Sequence, residues 1–202
     1  RRYSSSLEKI VKVVDPRPGE IMFGLNLVVN RGKTIFICDT SVIEYPDANQ
    51  LADMAKSAAR VVKLFGFDPK VAFLSHSTFG QPVTDRTKRI SDAVEILKKS
   101  NVDFKFDGEM QPDVALEEVY KELYPFSEIV GSSNVLIMPS QHSAAISYKM
   151  IKSMSRAKVI GPLLIGLGLP IEIAPLRSST SEIINIASIA AYSADVIDYK
   201  KN

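Results

Sequence analysis

The sequence predicts an α/β fold: three layers built on a largely parallel, mixed sheet. Two observations carry this reading. Strand-like apolar runs alternate with segments of helical period along nearly the whole chain, the pattern of a parallel sheet covered by helices. Near the start, two apolar runs are joined by a short turn containing Gly, an antiparallel hairpin that makes the sheet mixed.

The elements follow in order. Residues 21–29 (IMFGLNLVV) and 33–38 (KTIFIC) form the hairpin around Asn30-Arg31-Gly32. Asp47 is placed to cap a helix, with Gln50 three residues on where a capping box requires it. Leu51, Met54, Ala55, Ala58, Val61, Val62 and Phe65 then recur at helical spacing, and Gly66 ends the helix. Val71–Leu74 is a short buried strand, and Ile90, Ala93, Val94 and Leu97 mark the next helix. The alternation continues with a strand near 103–106, a helix near 113–122, a strand at 134–138, a helix near 143–154 and strands near 158–161 and 171–174. A last helix starts at the capping box of Ser179 and Glu182. It is apolar nearly all round (Ile183, Ile184, Ile186, Ala187, Ile189, Ala190), so burial on more than one side is expected.

Composition excludes several classes. With 46% hydrophobic and 24% charged residues the chain is neither disordered nor fibrous. A net charge of +2 over 202 residues argues against a broad nucleic-acid surface. One cysteine, Cys38, excludes an intrachain disulfide and points to a reducing, cytoplasmic setting. No apolar run approaches the roughly 20 residues that span a bilayer, so no membrane partner is expected. The first residue is Arg1 rather than Met, which reads as a piece of a longer protein.

In open α/β sheets ligands bind beyond the carboxyl ends of strands, and four loops fit that position. Ser75, His76, Ser77 and Thr78 offer hydroxyls and amides to a phosphate or an acyl oxygen, or equally form a helix-entry turn. Asp107–Asp113 places three carboxylates in seven residues; capping chemistry explains them better than a metal, with no His or Cys nearby. Ser140, His142 and Ser143 follow a buried strand; His142 has no evident acid partner, and Ser143 reads as a helix cap beside it. Gly161, Pro162 and the glycines at 166 and 168 permit close backbone approach but match neither GxGxxG nor a Walker motif. Lys149, Lys152, Arg156 and Lys158 lie just upstream, either as phosphate partners or as a solvated helix end. On residue chemistry alone this is an α/β domain with an anion or cofactor cleft.

The motifs FICDTSV (36–42), FLSHSTFGQP (73–82), DGEMQPDVAL (107–116), YPFSEIVGSSNVLIMPSQHSAAISYKM (124–150) and IGPLLIGLGLP (160–170) resemble the phosphotransacetylase family. The similarity is strongest to the phosphotransacetylase-like C-terminal domain of bacterial multimodular NADP-dependent malic enzymes, and it runs from about residue 10 to residue 193. It implies a phosphotransacetylase or isocitrate-dehydrogenase-like fold of two subdomains, one inserted in the other. By that comparison residues 1–14 lead in from the first subdomain, 15–157 are the inserted α/β subdomain, and 158–202 close the first. The malic enzyme part, with its NADP and a divalent metal (Mg or Mn), would precede Arg1.

Active phosphotransacetylases move an acetyl group between phosphate and coenzyme A, and this sequence departs from them where it matters. Their Ser-Arg-Gly-Cys falls on Pro175-Leu176-Arg177-Ser178; a one-residue shift restores the arginine as Arg177 but leaves Leu176 for the serine. The family's aspartate falls on Glu182, a helix arginine falls on Ser153 beside Lys152, and an Asn-Thr-Gly-Asn loop falls on His142-Ser143-Ala144-Ala145. Without those groups the charge of the transfer is not preorganised, while a cleft for a coenzyme A ester can persist. The resemblance therefore implies a catalytically degenerate regulatory and oligomerisation module that binds acetyl-CoA as effector. Its candidate cleft comprises Ser75, His76, Ser77, Thr78, Ser140, His142, Ser143, Lys152, Gly161, Pro162, Arg177 and Ser178. The alternatives are an active phosphate acetyltransferase and a purely structural dimerisation domain. A homodimer or higher oligomer is expected from the apolar last helix.

Overall fold

A computed structural model describes residues 3–198. The chain opens with helix α1 (Tyr3–Ile10), then the hairpin of β1 (Phe23–Asn30) and β2 (Lys33–Cys38). Arg31 and Gly32 both adopt positive φ, 49° and 78°, as a two-residue hairpin turn that follows the right-handed strand twist demands. Next come α2 (Ala48–Leu64), β3 (Lys70–Leu74), α3 (Asp85–Lys98), β4 (Lys105–Met110) and the short α4 (Pro112–Leu116). A single 3-10 turn (Glu118–Lys121), β5 (Val135–Ile137), α5 (Gln141–Met154), β6 (Lys158–Ile165) and α6 (Thr180–Asp198) complete the described chain.

The six strands form one sheet in the order β4-β3-β5-β2-β1-β6. β4, β3, β5 and β2 run parallel, and β1 runs antiparallel to both its neighbours. The expected largely parallel mixed sheet is therefore present, with helices on both faces. On one face, α2 and α3 bury Leu51, Met54, Val62, Ile90 and Leu97 against Phe23, Phe36, Phe73 and Leu163. On the other, Val114, Ala115 and Ala144 pack against Ile37, Ala72, Leu136 and Val159. Asp47 caps α2 as the spacing requires: its carboxylate accepts the Gln50 N–H at 2.8 Å and its own N–H donates to Gln50 Oε1 at 2.9 Å.

Several local expectations are corrected. The helix expected over 113–122 stops at Leu116, because the carbonyls of Val114 and Ala115 accept the N–H groups of Gly131 (2.9 Å) and Ser133 (3.1 Å) instead of continuing the helix. The strand near 103–106 starts later and runs through Asp107–Met110, so that acidic stretch is mostly strand rather than loop. Likewise Gly161–Ile165 lies in β6 rather than in a loop, and no strand forms at 171–174. Those last residues have no strand to pair with; Ile171 and Ile173 join a small cluster with Leu164, Leu167 and the apolar face of α1. α1 itself was not anticipated. α6 is capped by Ser179 and Glu182 as expected, but its covering is one-sided: Ile186 is buried, while Ile183 and Ile184 are 48% and 57% exposed. No helix among the described residues is long and apolar enough to cross a membrane.

Candidate functional site

The twelve expected site residues separate into two groups. Parallel β3 and β5 deliver Ser75–Thr78 and Ser140–Ser143 to the same carboxyl edge of the sheet. Lys152, Gly161, Pro162, Arg177 and Ser178 come together elsewhere, around a cavity between α5, β6 and α6. Lys152 lies nine positions after Ser143 on α5, about 14 Å along the axis.

At the first edge the polar groups are engaged with one another. Glu109, buried at the end of β4, was not among the expected residues, yet it organises the loop after β3. Its carboxylate accepts Ser77 Oγ at 3.1 Å, the Gly80 N–H at 2.6 Å and Ser91 Oγ at 2.5 Å. Ser77 Oγ also lies 3.0 Å from Ser75 Oγ, and Thr78 Oγ1 accepts the Gln111 N–H at 3.2 Å. His76 is exposed. The cap of α5 is Ser140 rather than Ser143: Ser140 Oγ accepts the Ser143 N–H at 3.3 Å, and Ser143 Oγ accepts the Ser140 N–H at 3.2 Å. His142 does have an acid neighbour, Glu44, 3.6 Å away, but both side chains are more than three-quarters exposed. A pair so open to water is worth little. The loop after β2 is equally self-contained, with Asp39 accepting N–H groups from Gly24 (2.7 Å), Ser41 (2.8 Å) and Val42 (3.1 Å), and from Ile43.

The cavity by β6 has a different character. Its volume is about 230 Å³, and Lys149, Lys152 and Arg177 line it with one carboxylate, Glu182. Lys152 Nζ sits 3.1 Å from Glu182 Oε1. Hydrogen bonds from Ser179, then Lys152, hold the Glu182 carboxyl below its ordinary range. Arg177 is exposed and makes no ion pair among the described residues. Gly161 gives this wall its shape: at φ +123°, a Cβ there would lie 2.7 Å from Asn26 Oδ1 and 2.8 Å from the Leu25 carbonyl, so only glycine lets β6 approach β1 so closely. The arrangement suits a phosphate or another anion. Its one carboxylate, Glu182, is engaged by Ser179 and Lys152, and the Ser178 backbone N–H donates to the Pro175 carbonyl at 3.0 Å.

Among the described residues no group of three His, Cys, Asp or Glu side chains could hold a metal ion. Local spacing gave no sign of the Glu109 hub, since its donors lie 18 to 32 residues away in sequence.

Comparison with known proteins places this geometry. The chain is 44% identical over 194 residues to an NADP-dependent malic enzyme of Rhizobium meliloti, covering 96% of this chain but 26% of that protein. It is 33% identical over 169 residues to a phosphate acetyltransferase of Bacillus subtilis, covering 83% of this chain and 52% of the relative. A phosphotransacetylase from Streptococcus pyogenes superposes with a TM-score of 0.89 at 29% identity, over 96% of this chain and 60% of that one. The chain thus spans about a quarter of the length of the malic enzyme it matches. The phosphate acetyl/butaryl transferase family matches residues 1–191, and this chain belongs to that family.

Proposed function

We propose that the chain is a catalytically degenerate phosphotransacetylase-like module of a cytoplasmic NADP-dependent malic enzyme, that it binds acetyl-CoA as an effector, and that it assembles as a homodimer. The parent protein would carry out oxidative decarboxylation of malate to pyruvate, using NADP and Mg or Mn held by upstream domains. The observation that carries this reading is the cavity by β6, where three cations meet a single carboxylate, Glu182. Acyl transfer to a thiol needs a proton acceptor with a pKa near the working pH. Glu182, held low by Ser179 and Lys152, is a poor one. Binding makes a smaller demand: Lys149, Lys152 and Arg177 supply positive charge for the phosphates of a coenzyme A ester.

An apolar stripe beside the cavity supports self-association. Ile146, Met150 and Met154 follow one another at i, i+4 and i+8 on α5 and are 58%, 54% and 83% exposed. A ligand in the adjoining cavity would thus sit next to a subunit contact, the arrangement that lets binding bias an assembly between states.

Calorimetric titration of acetyl-CoA, together with its effect on malate oxidation by the parent enzyme, tests the proposal. Saturable binding is expected, weakened about tenfold or more by Arg177→Ala, as loss of one charge-assisted contact implies. No heat at millimolar ligand refutes it. One observation favours an active phosphate acetyltransferase instead: the Ser178 hydroxyl lies in the same cavity as Arg177. Turnover of acetyl phosphate and coenzyme A that disappears in Arg177→Ala would decide for that reading.

A further inference from the structure

A second and larger cavity, about 330 Å³, lies further along α6, between the C-terminal half of that helix, α2 and β6. We infer that it is a binding site for a short aliphatic carboxylate, with the chain directed inward and the carboxylate at Arg17.

The lining dictates the chain. Leu64 and Phe65 from the end of α2, Leu163 from β6, Leu169 from the following loop and Ile189 from α6 give an apolar interior. Its size falls at the lower end of small-molecule pockets, which suits a short chain rather than a nucleotide. Tyr192 closes one side, its hydroxyl donating to the Leu64 carbonyl at 3.3 Å, so α6 is tied to α2 across the opening.

The charges dictate the head group. Two basic and two carboxylic side chains border the cavity: Arg17, Arg60, Glu20 and Glu172. Arg60 and Glu20 neutralise each other at 2.6 Å. Glu172 accepts the Leu164 N–H at 2.9 Å, and its burial pushes its pKa up to about 8, which favours its uncharged form at neutral pH. Arg17 remains. Its backbone N–H donates to the Gly166 carbonyl at 2.8 Å, which fixes it at the cavity, and its guanidinium makes no ion pair among the described residues. One uncompensated cation at an apolar opening selects an amphipathic molecule with one negative charge.

This site is separate from the anion cavity. Glu182 and Ile186 of α6 face the cavity by α5, whereas Ile189 and Tyr192 face this one. The inference therefore stands whether or not acetyl-CoA binds.

Octanoate is the probe, titrated calorimetrically into the chain and into the longer protein that carries it, beside octanol, octylammonium and inorganic phosphate. Octanoate is expected to bind about tenfold more tightly than octanol, the worth of one charge-assisted contact, with octylammonium and phosphate failing to bind here. Arg17→Gln should bring octanoate down to the octanol level. Ile189→Trp and, independently, Leu169→Trp should block both ligands while Arg177→Ala leaves them unchanged. No octanoate binding at millimolar concentration overturns the inference. So does binding indifferent to both tryptophan variants, octylammonium binding as well as octanoate, or loss of the site in the longer protein, which would mean that neighbouring chain fills it.

Discussion

Glu109 provides the sharpest test of how the fold is braced. It is 2% exposed and receives three donors: Ser77 Oγ, the Gly80 N–H and Ser91 Oγ. In Glu109→Ala the hydroxyls have second partners, since Ser77 reaches Ser75 Oγ at 3.0 Å and Ser91 reaches the Thr87 carbonyl at 3.2 Å. The Gly80 N–H has none. The expected cost is the loss of bonds to a charged acceptor plus one orphaned donor, about 3 kcal/mol in all. Glu109→Gln should behave differently. Its amide oxygen can still accept from Gly80 and Ser77, and its NH2 can donate to Ser91 Oγ while that hydroxyl turns to Thr87, so about 1 kcal/mol is expected. For a domain of this size the two figures correspond to melting shifts of about 6–12 °C and 2–4 °C. Denaturant titration and thermal melts of both variants measure the difference. Equal losses, or a loss under about 1 kcal/mol in the alanine variant, would refute the hub as a bracing element.

Three further outcomes are expected. Gly166→Ala should destabilise by at least about 2 kcal/mol in denaturant titration, because a Cβ there would lie 2.0 Å from the Ile21 carbonyl oxygen at a φ of +87°. Glu172 should make stability depend on pH. Its folded pKa of about 8 exceeds its ordinary 4.5, so the folded chain holds a proton in that window which the unfolded chain has released. Its contribution is complete below pH 4.5 and declines as the pH rises to about 8, and melts across that range should show a shallower decline in Glu172→Gln. The proposed dimer is tested by Met150→Lys, on the exposed stripe of α5, which should give a monomer in light scattering where the unaltered chain gives a dimer; a monomer in both, or an unaltered mass, would remove α5 as a subunit contact.

What was legible in the sequence was what is decided locally. The boxes Asp47/Gln50 and Ser179/Glu182 involve residues three apart, and both helices start where that spacing puts them. β2 coincides with its apolar run. The misread elements are those whose state depends on a distant partner. Residues 171–174 alternate like a strand, yet no strand lies alongside them, and Glu172 turns its carboxylate to the Leu164 N–H instead. Residues 113–122 carry a helical pattern, but the chain at 131–133 claims the carbonyls of Val114 and Ala115. The candidate site divided for the same reason. Loop position after a strand was readable, whereas the fact that α5 holds His142 and Lys152 at opposite ends of one helix matters only once both ends have neighbours.

That division also explains where ligand chemistry can reside. The carboxyl edge of a parallel sheet is the ordinary place for a ligand because its loops present unpaired N–H groups and hydroxyls. Here most of those groups already have partners, the buried Ser41 hydroxyl being an exception. Asp39 takes the amides after β2, Glu109 takes the loop after β3, and Ser140 with Ser143 closes the start of α5. An anion arriving at that edge would have to replace hydrogen bonds to buried carboxyl groups. At the β6 edge the balance is reversed: Lys149, Lys152 and Arg177 line a cavity with one carboxylate, and further along α6 Arg17 makes no ion pair among the described residues. The uncompensated positive charge therefore lies near both halves of α6. This helix is held by the contact of Glu182 with Lys152 in its first turn and by that of Tyr192 with Leu64 nearer its C-terminal end, so a ligand entering either cavity meets the same helix.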